Sequence, residues 1–151
     1  MTQQAILVLT TGGTIDKNYF DALSEYQIVD SGIPALLTEA RVALPFRVVE
    51  LMRKDSLELT EADRALIASA AREAPESRIV VTHGTDTMTD TAQALAGICS
   101  KTIVLTGAMQ PARFRFTDAV FNIASAMMAA QTLAEGVYIT MNGQVFDPEA
   151  T

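Results

Sequence analysis

One cysteine and one histidine are all that 151 residues hold of either side chain. A single thiol builds no disulfide framework, and Cys99, with Ile98, Ala94 and Leu95 nearby, reads as a reduced, inert core residue. Cys99 and His83 are too few to assemble a His/Cys zinc site within one chain, so no metal is expected. Long apolar runs are missing as well, and none reaches the length of a membrane span. The opening residues MTQQA show no basic segment and no leader-like apolar stretch, so no secretory signal is read and a cytoplasmic setting is expected. Positive charge is scarce: the net charge is −7. Nucleic acids and anionic membranes need a basic footprint, so neither is expected as a partner. The signatures G-x-G-x-x-G, G-x-x-x-x-G-K-[ST] and G-x-S-x-G are all absent.

Apolar residues make up 49% of the chain and charged ones 19%, enough for the core of one ordinary domain spanning residues 1–151. Five apolar runs read as strands: residues 5–10 (AILVLT), 46–51 (FRVVEL), 78–82 (RIVVT), 102–106 (TIVLT) and 137–141 (VYITM). They lack alternation, which fits strands buried on both faces of a parallel sheet. Helices are predicted between them. One lies within residues 31–44, with Pro34 in its first turn. One starts at Thr60, with Asp63 as a weak capping box and Ala65, Leu66, Ala70 and Ala71 as its apolar face. One runs from Thr87 to Gly97, and one from about Thr117, carrying Val120, Phe121, Ile123, Ala124, Met127 and Met128, the methionines as core filling. Strand–helix alternation predicts an open α/β sheet with helices on both faces. Residues 16–31 read as one long irregular stretch, the kind of loop that is mobile or functional.

Ligands of open α/β sheets bind beyond the carboxyl ends of the strands. Those ends read TTGGT (10–14), THGTDT (82–87), TGAMQP (106–111) and MNG (141–143). Turn chemistry explains any one of them, since glycine suits tight turns and Thr or Asp suits helix caps. It explains less well why Thr14, Thr85 and Asp86 reach one rim from two strands. A threonine hydroxyl attacks a carbonyl once a base takes its proton, and amides in glycine-rich turns can hold the oxyanion. Two threonines, an acid and several such amides therefore suit amide hydrolysis. A lysine with a pKa lowered by burial would serve as the base. His83, just before Gly84, reads as a ring packed at a strand end.

These stretches resemble the bacterial-type L-asparaginase family. TTGGTID (10–16) is similar to its first threonine signature and VVTHGTDTMTDTA (80–92) to its second. TGAMQP, FNIASA (121–126) and ITMNGQVFD (139–147) follow in order and spacing. The resemblance covers essentially the whole chain and implies the family's amino-terminal domain, a three-layer, flavodoxin-like, mostly parallel sheet. It implies that Thr14 is the nucleophile, and that Thr85 is either a second nucleophile or the activator of the hydrolytic water. It makes Asp86 the acid that binds the substrate's α-ammonium. Tyr26 best fits the loop tyrosine that assists Thr14, with Tyr19 as its rival. Gly13, Gly84 and Ala108 correspond to the backbone lining the amide pocket. The implied reaction is L-asparagine, or L-glutamine, plus water giving the amino acid and ammonia, with no cofactor. The alternatives are an asparagine- or aspartate-binding domain without turnover, and the ammonia-releasing subunit of a tRNA-dependent amidotransferase.

Three departures accompany the resemblance. The family's lysine, expected shortly after the ITMNGQVFD segment, would fall beyond Thr151, and Lys17, Lys54 and Lys101 all lie elsewhere; either the sequence ends before it or the triad is incomplete. The family's carboxylate-gripping serine follows the second strand; the matching segment LMRKDS (51–56) puts Arg53 or Lys54 near that spot, with Asp55 retained in the loop. A cation there would also bind a carboxylate. The family's carboxy-terminal domain, which in most members completes a neighbouring subunit's site, has no counterpart, so a short-chain, homo-oligomeric member is expected.

Overall fold

The computed structural model describes residues 5–20, 25–28, 31–110, 112 and 117–148. In chain order the strands are β1 (Ile6–Gly12), β2 (Lys17–Phe20), β3 (Glu25–Ile28), β4 (Phe46–Lys54), β5 (Arg78–Thr82), β6 (Thr102–Thr106), β7 (Gly136–Met141) and β8 (Gln144–Phe146). The helices are α1 (Ile33–Glu39), α2 (Glu61–Glu73), α3 (Met88–Leu95) and α4 (Ala119–Thr132). Among the described residues, six strands form one sheet in the order β4-β1-β5-β6-β7-β8. Its pairs are parallel except the last, where β8 returns antiparallel to β7.

The unalternating apolar runs have a simple cause. Successive side chains of a strand point to opposite faces, and each face here has its own core. Ile6, Val8, Val80 and Val104 meet α1 and α4 through Ile33, Leu37, Ile123 and Met127. Leu7, Leu9, Ile79, Val81, Ile103 and Leu105 meet α2 and α3 through Ile67, Ala71, Ala92 and Leu95. The result is the expected three-layer α/β arrangement.

The chain enters at β1, lays β4 on one side of it, then crosses to place β5 on the other. That reversal of direction opens a crevice between the carboxyl ends of β1 and β5, where sheets of this order take ligands.

Several local expectations change. Residues 16–31 are not one irregular stretch: β2 and β3 pair antiparallel as a separate two-stranded sheet. Tyr, Phe and Ile favour strands, and the polar residues between them masked that signal. Helix α1 does lie within residues 31–44, as expected, and it ends at Glu39, with Arg41 at φ 54° outside the helical region. Helix α2 buries Ile67, Ala68, Ala71 and Arg64, whereas Leu66 is half exposed. The stripe one turn apart from Ile67 faces the sheet, so the apolar face differs from the one expected. On α4, Met127 is core, but Met128, Phe121 and Val120 point outward, about half or more exposed. Cys99 is exposed, its thiol facing the Gly97 carbonyl at 3.6 Å. Gly97, at φ 91°, turns the chain out of α3, so apolar neighbours in sequence do not enclose the thiol.

The capping box at α2 is complete. Thr60 Oγ1 accepts from the Asp63 amide at 3.1 Å, and Asp63 accepts from the Thr60 amide at 2.9 Å. Lys54 donates to the same carboxylate at 2.8 Å. That bond foremost, with the Thr60 amide, holds Asp63 below the usual carboxylate range. Thr60→Ala is expected to cost about 1 kcal/mol, read as a lowered denaturant midpoint with an unchanged slope. An unshifted midpoint would mean that the cap adds nothing.

Candidate active site

The site is framed by backbone packed directly on backbone. Gly13 follows β1 at φ 86°, and a Cβ on it would lie 2.5 Å from the Gly84 nitrogen. Only glycine allows both that dihedral and that approach. A Cβ on Gly84 would in turn lie 2.8 Å from Ser56 Cβ and Oγ. The loops after β1, β5 and β4 thus converge at the switch point. Hydrogen bonds tie them further: the Gly13 amide donates to Lys54 O at 3.0 Å, Thr11 Oγ1 to Thr82 O at 2.8 Å, and Thr87 Oγ1 to Ser56 O at 2.9 Å. The β6 loop joins through the Ala112 amide, which donates to Ile15 O at 2.8 Å.

Thr14 and Thr85 each come one residue after the Gly13–Gly84 contact. Thr14 opens a 3₁₀ turn (Thr14–Asp16) and is partly exposed, as is Thr85. Asp86 is exposed beside it. None of the three has a side-chain partner among the described residues. The amide of Thr85 has no acceptor there either. Two hydroxyls, a carboxylate and an amide on one rim are therefore without partners among the described residues.

In the sequence reading of LMRKDS, Ser56 is passed over in favour of the cations that precede it. It opens the 3₁₀ turn Ser56–Glu58 after β4, is 1% exposed, and its Oγ finds no partner. A buried hydroxyl without a bond calls for an explanation. Thr10, Thr82 and Thr140 share that condition within strands, but Ser56 stands in a rim loop against Gly84. The signal was available: it is the hydroxyl residue next to Asp55 at a strand's carboxyl end.

The two cations named from the sequence are occupied. Arg53 pairs with Glu50, and Lys54 with Asp63 at 2.8 Å at the start of α2. Asp55 serves the turn through its carbonyl, which accepts from the Glu58 amide at 2.9 Å. Ala108 is buried. The loop around it is held by Asp118, whose carboxylate accepts from the Met109 and Gln110 amides at 2.8 and 2.9 Å, and by Asn122, which donates to Gly107 O at 2.9 Å. Tyr19 and Tyr26 stand opposite each other in the β2–β3 register; their side chains, like those of residues 16–20 and 25–28 generally, lie outside the described ones.

His83 is fully buried behind the rim. Its Nδ1 lies 2.6 Å from Gly84 O and its Nε2 2.7 Å from Thr91 Oγ1. Desolvation first, and nearby Arg64 second among the lowering causes, push its pKa below the usual histidine value, so the neutral ring is favoured. The expectation of a packed strand-end histidine holds.

Residues 5–151 match the family described as Asparaginase, N-terminal. The chain belongs to the asparaginase family. It is 30% identical over 151 residues to a probable periplasmic L-asparaginase of Haemophilus influenzae, covering 93% of this chain and 43% of that protein. It is 45% identical over 71 residues to a subunit of the glutamyl-tRNA(Gln) amidotransferase of Methanococcus vannielii, covering 46% of this chain and 17% of that one. Among solved structures it is similar to the thermostable L-asparaginase of Thermococcus kodakarensis, with TM-score 0.81 and 26% identity over 96% of this chain and 46% of that one. L-asparaginase I of Vibrio cholerae gives TM-score 0.85 at 26% identity, over 97% of this chain and 47% of that one. The match thus spans under half the length of each of these asparaginase-family relatives.

Proposed function

We propose that this chain is an amidohydrolase that releases ammonia from L-asparagine through an acyl-threonine. The observation that carries this reading is the pair Thr14 and Thr85, on either side of the Gly13–Gly84 contact and without side-chain partners among the described residues. In the first step Thr14 Oγ attacks the side-chain amide carbon. The hydroxyl proton passes to the leaving nitrogen, and ammonia departs as the ester forms. Water then cleaves the ester, giving L-aspartate and restoring the hydroxyl. The Thr85 amide, without an acceptor among the described residues, is a donor for developing oxyanion charge, and Thr85 Oγ orients the water or attacks in its turn. Asp86 holds the α-ammonium, and Ser56 Oγ donates to the α-carboxylate. Tyr26, with Tyr19 opposite it in the β2–β3 register, is the tyrosine that assists Thr14 in this reading. Lys54 and Lys101 are occupied by Asp63 and by the carbonyls of Ala74 and Glu76, so neither supplies the base. L-glutamine is the second candidate substrate, and one methylene is a small difference for a pocket to read.

The likeness to the amidotransferase protein favours a second reading with the same chemistry, in which the ammonia serves a partner protein. A homo-oligomer belongs with the first reading: α4 turns Val120, Phe121 and Met128 outward, beside an apolar groove lined by Leu37, Val42 and Ile123.

Ammonia release by the 151-residue chain, with L-aspartate binding measured by calorimetry, tests the proposal. Release without a partner supports the hydrolase. Binding without release points to a pocket that lacks turnover or waits for a partner, and the absence of both removes the reading. Within it, Ser56→Ala is expected to raise KM for L-asparagine roughly tenfold or more, the worth of a hydrogen bond to a charged group. Its melting temperature should not fall, because the lost hydroxyl has no partner among the described residues. An unaltered KM would take Ser56 out of the site.

A further inference from the structure

We infer that His83 is a positioning residue: through a proton-ordered chain from Arg64 and Thr91 it holds the Gly84–Thr85 peptide in one orientation, and so aims the Thr85 amide at the rim. The inference rests on the hydrolase reading for its kinetic consequence, though its geometry stands apart from it.

The order of protons follows from what each group can do. Arg64 has only donors, and its Nε lies 3.2 Å from Thr91 Oγ1, which must therefore accept. A carbonyl only accepts, so the His83 nitrogen 2.6 Å from Gly84 O is the one bearing hydrogen. In a neutral ring the other nitrogen is then bare, and it accepts from the Thr91 hydroxyl at 2.7 Å. Every group in the chain is satisfied by one tautomer. The three residues come from α2, α3 and the end of β5, and each is at least nine-tenths buried. A trans peptide sets C=O and N–H on opposite sides. Fixing Gly84 O inward on His83 turns the Thr85 N–H the other way, and that N–H has no acceptor among the described residues. The Gly84 backbone is also held between Gly13 and Ser56, which leaves the peptide's rotation as the freedom that the imidazole removes.

Protonation would break the order. An added hydrogen on Nε2 would make Thr91 Oγ1 accept twice and leave its own proton without its present acceptor. The charged groups around the ring are Arg64 with its partner Glu61 from α2, and Asp90 from α3. Desolvation and Arg64 oppose the charged ring, while the Gly84 carbonyl and Asp90 favour it, and the net direction is downward. A lowered histidine value means that the unfolded chain takes the proton first as pH falls. This contribution to stability is whole above the ordinary value of 6.5 and declines below it, down to the native value.

The test separates the two ring nitrogens. Asn at 83 can place an N–H near the Nδ1 position, keeping the bond to Gly84 O. Gln can place an acceptor near Nε2, keeping Thr91 but releasing Gly84. Turnover of L-asparagine by H83Q is expected to fall about a hundredfold, the cost of a displacement near an ångström, with H83N retaining a clearly larger share. The Thr85 amide resonance should move in H83Q more than in H83N. Equal turnover and equal shifts in the two variants would overturn the inference. If the parent chain proves inactive, the hydrolase reading fails, while the Thr85 resonances still decide this one. Should neither variant fold, the parent decides: its Thr85 amide must titrate with the midpoint of the His83 ring, and an amide indifferent to that titration overturns the inference.

Discussion

Thr14→Ala and Thr85→Ala are each expected to cut ammonia release from L-asparagine by roughly a thousandfold or more. Their melting temperatures should stay within about two degrees of the parent. The contrast follows from where the hydroxyls stand. A buried hydroxyl that bonds its neighbours is worth about 1 kcal/mol, and more if its loss strands a partner. Neither Thr14 nor Thr85 has such a neighbour among the described residues, and both are partly exposed. Thr91 makes the opposite case, since its hydroxyl takes a bond from Arg64 and faces His83. Thr91→Ala should unfold several degrees early. Assays of ammonia and scanning calorimetry on the three variants give the comparison. If Thr14→Ala and Thr85→Ala melt as early as Thr91→Ala, their hydroxyls are structural, and the assignment of a nucleophile fails.

Gly13→Ala is expected to be severely damaging for a single added methyl group. Two costs add. A left-handed dihedral costs an ordinary residue about 1–2 kcal/mol. The new Cβ would also lie 2.5 Å from the Gly84 nitrogen and 2.7 Å from its Cα, where no flexible side chain can yield. Forcing such an overlap costs about 1–3 kcal/mol more. Gly97 provides the control: its φ is 91°, close to that of Gly13, but a Cβ there meets nothing within 4 Å. Gly97→Ala should therefore show the dihedral cost alone. Denaturant midpoints for the two variants separate the terms, and equal losses would show that the Gly13–Gly84 contact is slack. Because the contact brings the Thr14 and Thr85 loops together, Gly13→Ala should also lose turnover, whereas Gly97→Ala should keep it.

Much of this architecture was legible in the sequence because burial on both faces leaves unbroken apolar runs. The limits of β5 and β6 coincide with the runs RIVVT and TIVLT. Thr60 and Asp63 announced α2 through cap chemistry, which depends on neighbours a few residues away. What escaped has several causes, some local and some reaching across the chain. Which side of α2 faces the sheet was misjudged because alanines occupy several sides of it. The exposure of Cys99 depends on the turn at Gly97. The antiparallel pairing of β2 and β3 is hidden by the polar residues of those strands. At the site, the threonine loops and glycines could be named from the sequence, because glycine and hydroxyl residues cluster at strand ends. Ser56 was overlooked, as its significance comes from lying unbonded against Gly84. The chain linking Arg64, Thr91 and His83 joins two helices to a strand end, and no spacing in the sequence predicts it.

The order of strands also bears on how the molecule is made. β1 lies inside the sheet, flanked by β4 and β5, with Ile6 registered against both Phe46 and Arg78. During synthesis β1 leaves the ribosome first of the six, yet its second flank is not complete until β5 has emerged. Pairings between such remote segments form slowly, and until they form the run ILVLTTG is an unprotected apolar edge. Yield in a host cell should thus depend on translation speed, temperature and chaperone supply more than on the final stability of the sheet.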